Sequence, residues 1–183
     1  MLIGNKEIPT NIFLAPLAGV ADLSFRLISR EGGAKFAFFE MLDCNSLIHA
    51  GKDKDILQIH PDDQPIAAQL LGADPDDMLK AAQILLQRVS PTLLDINSAC
   101  PVRKVVGKGS GAQLMREPVR LWAIIEKLVK NLDVPITVKL RVGYKQIDLE
   151  ALALLAKGCE ERGAAALFVH GRTRDQLYHG QVN

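Results

Sequence analysis

The segment that decides the fold is Leu93-Leu94-Asp95-Ile96-Asn97-Ser98-Ala99-Cys100-Pro101, a short apolar run with a polar ending. Leu93, Leu94 and Ile96 are apolar enough to predict a buried strand. The strand ends at Asn97 and continues into a loop in which a proline follows a cysteine. Parallel α/β proteins place their chemistry at strand ends of this kind. The segment therefore predicts an α/β fold together with the place of a functional site.

Short apolar runs alternate with longer helical patterns along the chain. Apolar faces with helical spacing predict helices over 23–31, 74–89, 117–129 and 148–159, and a weaker helix followed by a loop over 45–63. Between them we predict six strands, at 12–17, 36–41, 66–71, 93–97, 136–141 and 166–170. Strict alternation of apolar strands with helices indicates a parallel sheet that is covered by helices.

Two architectures share this pattern, a doubly wound open sheet and a TIM (β/α)8 barrel. The turn after the first predicted strand, Ala15-Pro16-Leu17-Ala18-Gly19, is not the G-x-G-x-x-G sequence of a dinucleotide-binding fold, which weighs against the open sheet. Units of about 30 residues repeated eight times give the length of a TIM barrel. We therefore predict a TIM (β/α)8-type α/β fold, formed as one domain over 1–183, with about six strands and so an incomplete barrel.

The composition excludes several classes of protein. The chain has 183 residues, 48% hydrophobic and 23% charged, with a net charge of +1, which is typical of a soluble globular protein and not of a histone-like nucleic-acid binder. Its three cysteines include no C-x-x-C pair, so they predict reduced thiols rather than a disulfide framework or a zinc site. We see no signal peptide and no apolar run of membrane-spanning length, and we expect a cytoplasmic protein.

Polar side chains recur where the predicted strands end. The residues at these ends are Pro16, Ala18, Glu40, Met41, Gln69, Asn97, Cys100, Lys139, Arg141, His170, Gly171 and Arg172. In a barrel the ends of the strands meet at one mouth. A buried polar side chain without a partner costs on the order of 1–3 kcal/mol, so these groups should share partners or face a polar ligand.

Five ordered motifs resemble the tRNA-dihydrouridine synthase family. They are Ala15-Pro16-Leu17-Ala18-Gly19-Val20-Ala21-Asp22, Asp95-Ile96-Asn97 with Cys100-Pro101, Lys104-Val105-Val106 with Gly109-Ser110-Gly111-Ala112 and Leu114-Met115, Thr137-Val138-Lys139-Leu140-Arg141, and Val169-His170-Gly171-Arg172-Thr173. The resemblance covers essentially the whole chain. It implies a TIM barrel that binds FMN and reduces particular uridines of tRNA to 5,6-dihydrouridine, with NADPH as the electron donor and tRNA as the partner.

The resemblance also implies which residues would hold the flavin. The backbone of Pro16, Leu17 and Ala18 would wrap it, Gln69 would bond the edge of the isoalloxazine ring, Lys139 would lie at the pyrimidine side, and His170 would lie near the ring or the phosphate tail. A lysine is chemically suitable there because reduced flavin carries negative charge around N1. Taken alone, Lys139 leaves two other roles open, a strand-end lysine in solvent and a Schiff-base lysine.

By the same resemblance, Cys100 is the proton donor. Hydride would pass from flavin N5 to uracil C6, and the Cys100 thiol would protonate C5, which suits a thiol because it is mostly protonated at neutral pH. The alternative, an inert buried cysteine, suits Cys44 and Cys159. The family usually has a bulky apolar residue and a glycine before the cysteine, where this chain has Ser98-Ala99, so the fine geometry of the loop is expected to differ.

The residues expected to hold the RNA come from the same loop and from a basic run that follows it. Asn97 would hold the target base or sugar, although a strand-end asparagine can also bond its own backbone. Arg103, Lys104 and Arg141 would rim the mouth and contact phosphates, the alternative for each being an ordinary solvated charge. Reduction at C6 requires the base to leave its stack. The motif around His170 contains no second histidine, so we predict no metal site.

Two further expectations concern the extent of the chain. The FMN phosphate site of the family and its C-terminal helical tRNA-binding domain would lie beyond Asn183, so we expect residues 1–183 to be part of a longer enzyme and to be inactive alone. We predict no stable protein partner, but the unpaired edges of an incomplete barrel could drive association. The alternatives are an FMN barrel that acts on a free pyrimidine, as dihydroorotate dehydrogenases do, and a non-catalytic RNA-binding module.

Overall fold

The computed structural model describes residues 1–49 and 57–183, and the chain begins with a small antiparallel hairpin. Strands β1 (Leu2–Ile3) and β2 (Lys6–Glu7) pair across the turn Gly4-Asn5, where Gly4 has a φ of 57°. Glycine suits this position because a Cβ there would also lie 3.0 Å from the Cβ of Pro135. Ile3 and Ile8 are buried near the beginnings of the central strands. The hairpin, which the sequence pattern did not predict, therefore covers the N-terminal end of the sheet.

The central sheet has five parallel strands in sequential order. They are β3 (Ala37–Asp43), β4 (Ile66–Leu71), β5 (Leu94–Asn97), β6 (Ile136–Arg141) and β7 (Ala166–His170). In a doubly wound sheet the strand order reverses at a switch point, whereas in a barrel each strand pairs with the next one along the chain. The order β3-β4-β5-β6-β7 therefore identifies a partial barrel, and the prediction of an incomplete TIM-type barrel is confirmed.

The first predicted strand, 12–17, is reduced to a single bridge, so the sheet has five strands where six were expected. Leu14 pairs in parallel with Ala37, its N–H donating to Phe36 O at 3.0 Å and its carbonyl accepting from Phe38 N at 3.1 Å. The next ladder donor in a parallel pair is two residues on, and that residue is Pro16, which has no N–H. Proline thus ends the pairing after one step.

Helices follow the strands as predicted, and two short helical segments after β5 were not predicted. They are α1 (Leu23–Glu31), α2 (Cys44–His49), α3 (Pro75–Leu86), α4 (Arg103–Val106), α5 (Pro118–Asn131) and α6 (Leu149–Glu160), with a 3-10 helix over Gly111–Arg116. The side chains of Asp22, Asp74 and Asp148 accept N–H groups in the first turns of α1, α3 and α6. Of the weaker helix and loop predicted over 45–63, α2 ends at His49, and 50–56 lie outside the described residues. Within the described ranges, none of the helices is long and apolar enough to cross a bilayer.

Two apolar layers cover the two faces of the sheet. On the outer face the buried sides of α3 and α5, including Met78 and Ile124, pack against strand residues such as Leu70 and Ile96. On the inner face lie the aromatic rings of Phe13, Phe36, Phe38 and Phe168, in edge-on contacts. Phe38 from β3 and Phe168 from β7 have ring centroids 5.8 Å apart, although their strands are the two edges of the sheet. The sheet is therefore strongly curved, and its inner face is a packed core at one end.

Candidate active site

Strand register places the polar residues of the strand ends in rows on the inner face. Gln69, Asp95 and Thr137 are partners across β4, β5 and β6, and Asn97 is the partner of Lys139 one step further along. Lys139 in turn pairs with Phe168, which belongs to the inner aromatic cluster. Residues two apart on a strand share a face. The rows therefore stack above the aromatic core, toward the C-terminal ends of the strands.

A continuous chain of hydrogen bonds joins these rows. Thr137 Oγ1 donates to Asp95 Oδ1 at 2.6 Å, and Gln69 Nε2 donates to Asp95 Oδ2 at 2.7 Å. Asn97 Nδ2 donates to Gln69 Oε1 at 2.7 Å and also lies 3.0 Å from Met41 Sδ. Asn97 Oδ1 accepts the backbone N–H groups of Ala99 at 3.1 Å and Cys100 at 2.8 Å. The chain thus runs from β6 through β5 and β4 and back into the loop that carries the cysteine.

Burial sets the electrostatics of the charged pair in these rows. Burial raises the pKa of Asp95 to about 6, against the hydrogen bonds from Thr137 and Gln69 and the charge of Lys139, which lower it. Burial likewise lowers the pKa of Lys139, the nearby Asp95 carboxylate raises it, and the Arg141 charge lowers it further. Lys139 retains some solvent exposure, whereas Asp95 has none. The Asp95 carboxylate therefore stabilises the charged form of Lys139.

Cys100 lies partly exposed in a tightly held loop. Besides its N–H bond to Asn97, its carbonyl accepts the N–H of Ala112 at 3.0 Å. Gly111 makes this approach possible, because it has a φ of 59° and a Cβ there would lie 2.7 Å from Cys100 O. The other two thiols are buried: burial raises the pKa of Cys159 to about 11 and that of Cys44 further. Of the three cysteines, only Cys100 presents a thiol to a ligand.

Arg141, expected at the rim of the mouth from its strand-end position, is largely buried. It is 2% exposed, and its guanidinium donates to three backbone carbonyls: Nε to Ala99 O at 2.7 Å, and Nη1 to Thr173 O at 2.9 Å and Leu177 O at 3.0 Å. The side chain therefore ties the cysteine loop to the segment that follows β7. Nε and Nη1 therefore hold that loop, whereas Nη2 makes none of these three bonds.

The turn after the first predicted strand lies beside β3. Pro16 is half-buried, and Leu17 and Ala18 are exposed. The Leu17 carbonyl accepts from Val20 N and Ala21 N, and the Glu40 carboxylate in the middle of β3 accepts the N–H of Gly19. Glu40 thus holds this turn in place, a role that the sequence pattern did not predict; it was expected near a strand end, but β3 continues to Asp43.

His170 and the basic run complete the rim of the strand ends. His170 is the partner of Arg141 in the β6–β7 ladder, and burial followed by the charges of Arg141, Lys139 and Arg172 lowers its pKa, so its ring is neutral at pH 7. Arg103 and Lys104 are exposed on α4. Lys104 also lines a cavity of about 490 Å³ between α2 and α4. Asp43, His49 and Lys108 line the same cavity.

These residues fit a flavin in part. Lys139 offers a cation with exposed surface, and Leu17 and Ala18 offer an exposed turn of the kind that can cover a ring. Gln69, expected to bond the edge of the ring, is 0% exposed, and its amide bonds Asp95 at one end and Asn97 at the other. In this conformation it therefore supports the site from below. Among residues 1–49 and 57–183, no three His, Cys, Asp or Glu side chains come close enough together to hold a metal ion.

Asp95 and Thr137 are the site residues that sequence reasoning missed as members of the site. The signal was present, because an aspartate inside the apolar run Leu93-Leu94-Asp95-Ile96 has to be buried and therefore needs partners. The identity of those partners depends on strand order and register, which the sequence pattern did not supply.

Comparisons with known proteins agree with this arrangement. The family model described as dihydrouridine synthase matches residues 13–183. The chain is 39% identical over 183 residues to tRNA-dihydrouridine synthase B of Pasteurella multocida, covering 100% of this chain and 54% of that protein. It is 34% identical over 185 residues to the protein of that name from Escherichia coli, covering 100% of this chain and 56% of the relative. The chain thus spans about half the length of the curated relatives it matches.

A solved structure supports the fold independently. The crystal structure of 2,3-dimethylmalate lyase, a member of the PEP mutase/isocitrate lyase superfamily, superimposes with a TM-score of 0.53 over 90% of this chain and 58% of the other, at 12% identity. At that identity the likeness shows only the fold. The match of the family model to 13–183, together with the ordered strand-end motifs, shows that the chain belongs to the dihydrouridine synthase family.

Proposed function

We propose that this chain is the catalytic barrel domain of an enzyme that reduces specific uridines of tRNA to 5,6-dihydrouridine, with FMN as cofactor and NADPH as electron donor. Relatives named tRNA-dihydrouridine synthase B support the reaction and its substrate. The observation that carries the proposal is the partly exposed Cys100 thiol, held by Asn97 at the same strand ends as Lys139. Because the substrate is tRNA, we place the activity in the cytoplasm.

Bound FMN would supply the hydride that reduces C6 of the uracil ring. Lys139 would hold negative charge at the pyrimidine side of the cofactor. Its partial burial strengthens this electrostatic interaction, and Asp95 beneath it opposes the loss of its proton. Pro16, Leu17 and Ala18 would cover the ring, and the neutral His170 would add a hydrogen bond without adding charge.

Cys100 would complete the reduction as general acid. As C6 is reduced, the S–H bond breaks and a C–H bond forms at C5, and the resulting thiolate takes a proton from solvent. The partial exposure of Cys100 permits both steps. The bond from Cys100 N to Asn97 Oδ1 and the bond from Ala112 N to the Cys100 carbonyl fix the backbone of the residue, and so the point from which the thiol extends.

The substrate contacts divide between base and backbone. Asn97 Nδ2 donates to Gln69 Oε1 and to Met41 Sδ, and the target base or sugar would replace the thioether, which is a weak acceptor. Arg103 and Lys104 are exposed and would contact phosphates, with an affinity that falls as salt rises. Arg141 would hold the loop of Cys100 through Nε and Nη1, and its Nη2 group would remain for a contact with the substrate. The target base must be flipped or unstacked to reach the thiol.

The test is a chimera in which residues 1–183 replace the matching part of the relative from Pasteurella multocida. With FMN, NADPH and unmodified tRNA, mass spectrometry of the nucleosides should show uridine that has gained two hydrogens, and only when NADPH is present. A chimera that binds FMN and reduces free orotate or uridine, but not tRNA, would contradict the proposal in favour of a free-pyrimidine enzyme. The 183-residue chain assayed alone should form no dihydrouridine, because its relatives carry about as many residues again.

A further inference from the structure

We propose that Asp95 is a positioning residue for Cys100, and that it acts through the side-chain amides of Gln69 and Asn97. Its consequence for catalysis rests on the proposed function, whereas its consequence for the structure of the cysteine loop does not. The evidence is the hydrogen-bond chain Asp95–Gln69–Asn97–Cys100, in which each link is between 2.7 and 2.8 Å.

The two ends of this chain have fixed and opposite polarity. At one end the backbone N–H groups of Ala99 and Cys100 can only donate, so they require an oxygen from Asn97. At the other end the Asp95 carboxylate, when ionised, can only accept, so it requires an N–H from Gln69. Between these ends lie two amides, each with one accepting and one donating end.

Only one orientation of the two amides satisfies every link. With Asn97 Oδ1 on the backbone, its Nδ2 must face Gln69, which then presents Oε1 to Asn97 and Nε2 to Asp95. Flipping either amide places two acceptors or two donors against each other. The two amides and the carboxylate are buried, so a mismatch leaves an unpaired polar atom that water does not reach. Asp95 therefore determines, through Gln69, that Asn97 presents its oxygen and not its nitrogen to the backbone N–H of Cys100.

The substitution Gln69→Glu breaks this polarity with almost no change in shape. The new carboxylate still accepts from Asn97 with one oxygen, but its other oxygen faces Asp95 Oδ2 across the distance of the former hydrogen bond. Two carboxylates so close repel each other. At a pH where both carboxyl groups are ionised, relief requires the substituted side chain to turn away, which removes the acceptor of Asn97 Nδ2 and frees Asn97 to leave the N–H of Cys100. At lower pH the two groups share one proton, which restores a hydrogen bond between them.

The substitution Asp95→Asn is the matched control, because an asparagine can keep the polarity of the chain. Its oxygen can accept from Gln69 while its amide nitrogen donates to Thr137 Oγ1, whose hydroxyl rotates to accept. In the double variant, the asparagine introduced at position 95 instead donates to the carboxylate introduced at position 69 and accepts from the Thr137 hydroxyl. Every link is then satisfied again, with the negative charge moved from position 95 to position 69.

The experiment measures hydrogen exchange of the Cys100 amide by NMR in the ligand-free chain. At a pH above the pKa values of both carboxyl groups, we expect Gln69→Glu to reduce its protection about tenfold, the loss of one buried hydrogen bond. We expect Asp95→Asn and the double variant to stay within about threefold of the original chain at the same pH. Unchanged protection in Gln69→Glu, or a double variant no better than Gln69→Glu, would overturn the proposal. If Gln69→Glu does not fold, a folded double variant with native protection supports the proposal, and an unfolded one contradicts it.

This outcome is independent of the proposed reaction. Native protection restored by the double variant, in a protein that forms no dihydrouridine in the chimera assay, would keep the positioning role and reject the function. Dihydrouridine formation in the chimera with no rescue of protection would keep the function and reject the positioning role.

Discussion

Replacing Asp95 by asparagine should change how the stability of the chain depends on pH. The pKa of Asp95 is about 6 in the folded protein, against 3.8 for a solvated carboxyl, because the folded state buries it completely. The difference is about two pH units, and at about 1.4 kcal/mol per unit it corresponds to roughly 3 kcal/mol of unfolding free energy. The asparagine fills the same space and carries no titratable proton.

The sign follows from which state holds the proton. Below about pH 4, Asp95 is protonated in both the folded and the unfolded chain. Between about pH 4 and pH 6 the folded chain keeps the proton and the unfolded chain loses it, so rising pH favours unfolding. Above that range both states are ionised, and the buried charge destabilises the fold by the full amount. Relative to Asp95→Asn, the original chain should therefore lose roughly 3 kcal/mol of stability between pH 4 and pH 6.5.

Urea unfolding monitored by the fluorescence of Trp122, the one tryptophan in the chain, gives this difference at each pH. Comparing the two proteins removes the contribution of all other carboxyl groups. A second variant, Thr137→Val, removes a hydrogen bond that lowers the pKa of Asp95, so it should move the midpoint of the difference to higher pH. A difference that stays constant from pH 4 to pH 6.5, or that grows in favour of the original chain as pH rises, would refute the reasoning.

Three further predictions test other contacts. Asp63→Ala should lower the unfolding free energy measured in urea by about 3–5 kcal/mol, because it removes the carboxylate 2.7 Å from the fully buried Arg26. Asp63→Asn should lower it less, and equal, small losses in both variants would contradict the importance of this ion pair. Gly111→Ala should destabilise the chain by about 1–3 kcal/mol and shift the NMR signal of the Cys100 amide, because Gly111 has a positive φ and an added Cβ would contact Cys100 O. An unchanged stability would contradict the described loop. Iodoacetamide should modify Cys100 faster than the buried Cys44 and Cys159, as read by peptide mass spectrometry, and faster modification of Cys159 would contradict the described burial.

The spacing of apolar residues predicted the strands that are buried on both faces and are at least six residues long. The run at 66–71 is largely apolar because helices cover one face and the barrel interior covers the other, and the run at 136–141 alternates apolar residues with the polar residues of the inner face. Both strands were found with the right bounds. The run at 12–17 is equally apolar, but Pro16 removes the ladder donor, and only the Leu14 bridge remains. The hairpin of β1 and β2 was not predicted, because strands of two residues are too short to show an alternating pattern.

The candidate site was predictable at its ends and not in its interior. Motifs and strand ends led to Cys100, Asn97 and Lys139, which the structure brings to one set of strand ends. The role of Arg141 was not predictable, because the same strand-end arginine can extend into solvent or turn back to carbonyls of Ala99 and Thr173, far away in sequence. Gln69 was expected to contact a ligand. Because β4 and β5 place it opposite Asp95, its amide nitrogen donates to the buried Asp95 carboxylate, a contact that the sequence pattern did not predict.

The central claim is that the Cys100 thiol is the acid that completes the reduction of a tRNA uridine. The most direct measurement is the rate of dihydrouridine formation by the chimera carrying Cys100→Ala, compared with Cys159→Ala, which removes a buried thiol on α6. A general acid contributes about 10²–10⁴-fold, so Cys100→Ala should lose at least about a hundredfold while FMN remains bound, and Cys159→Ala should retain its rate. Equal rates in the two variants would contradict the account.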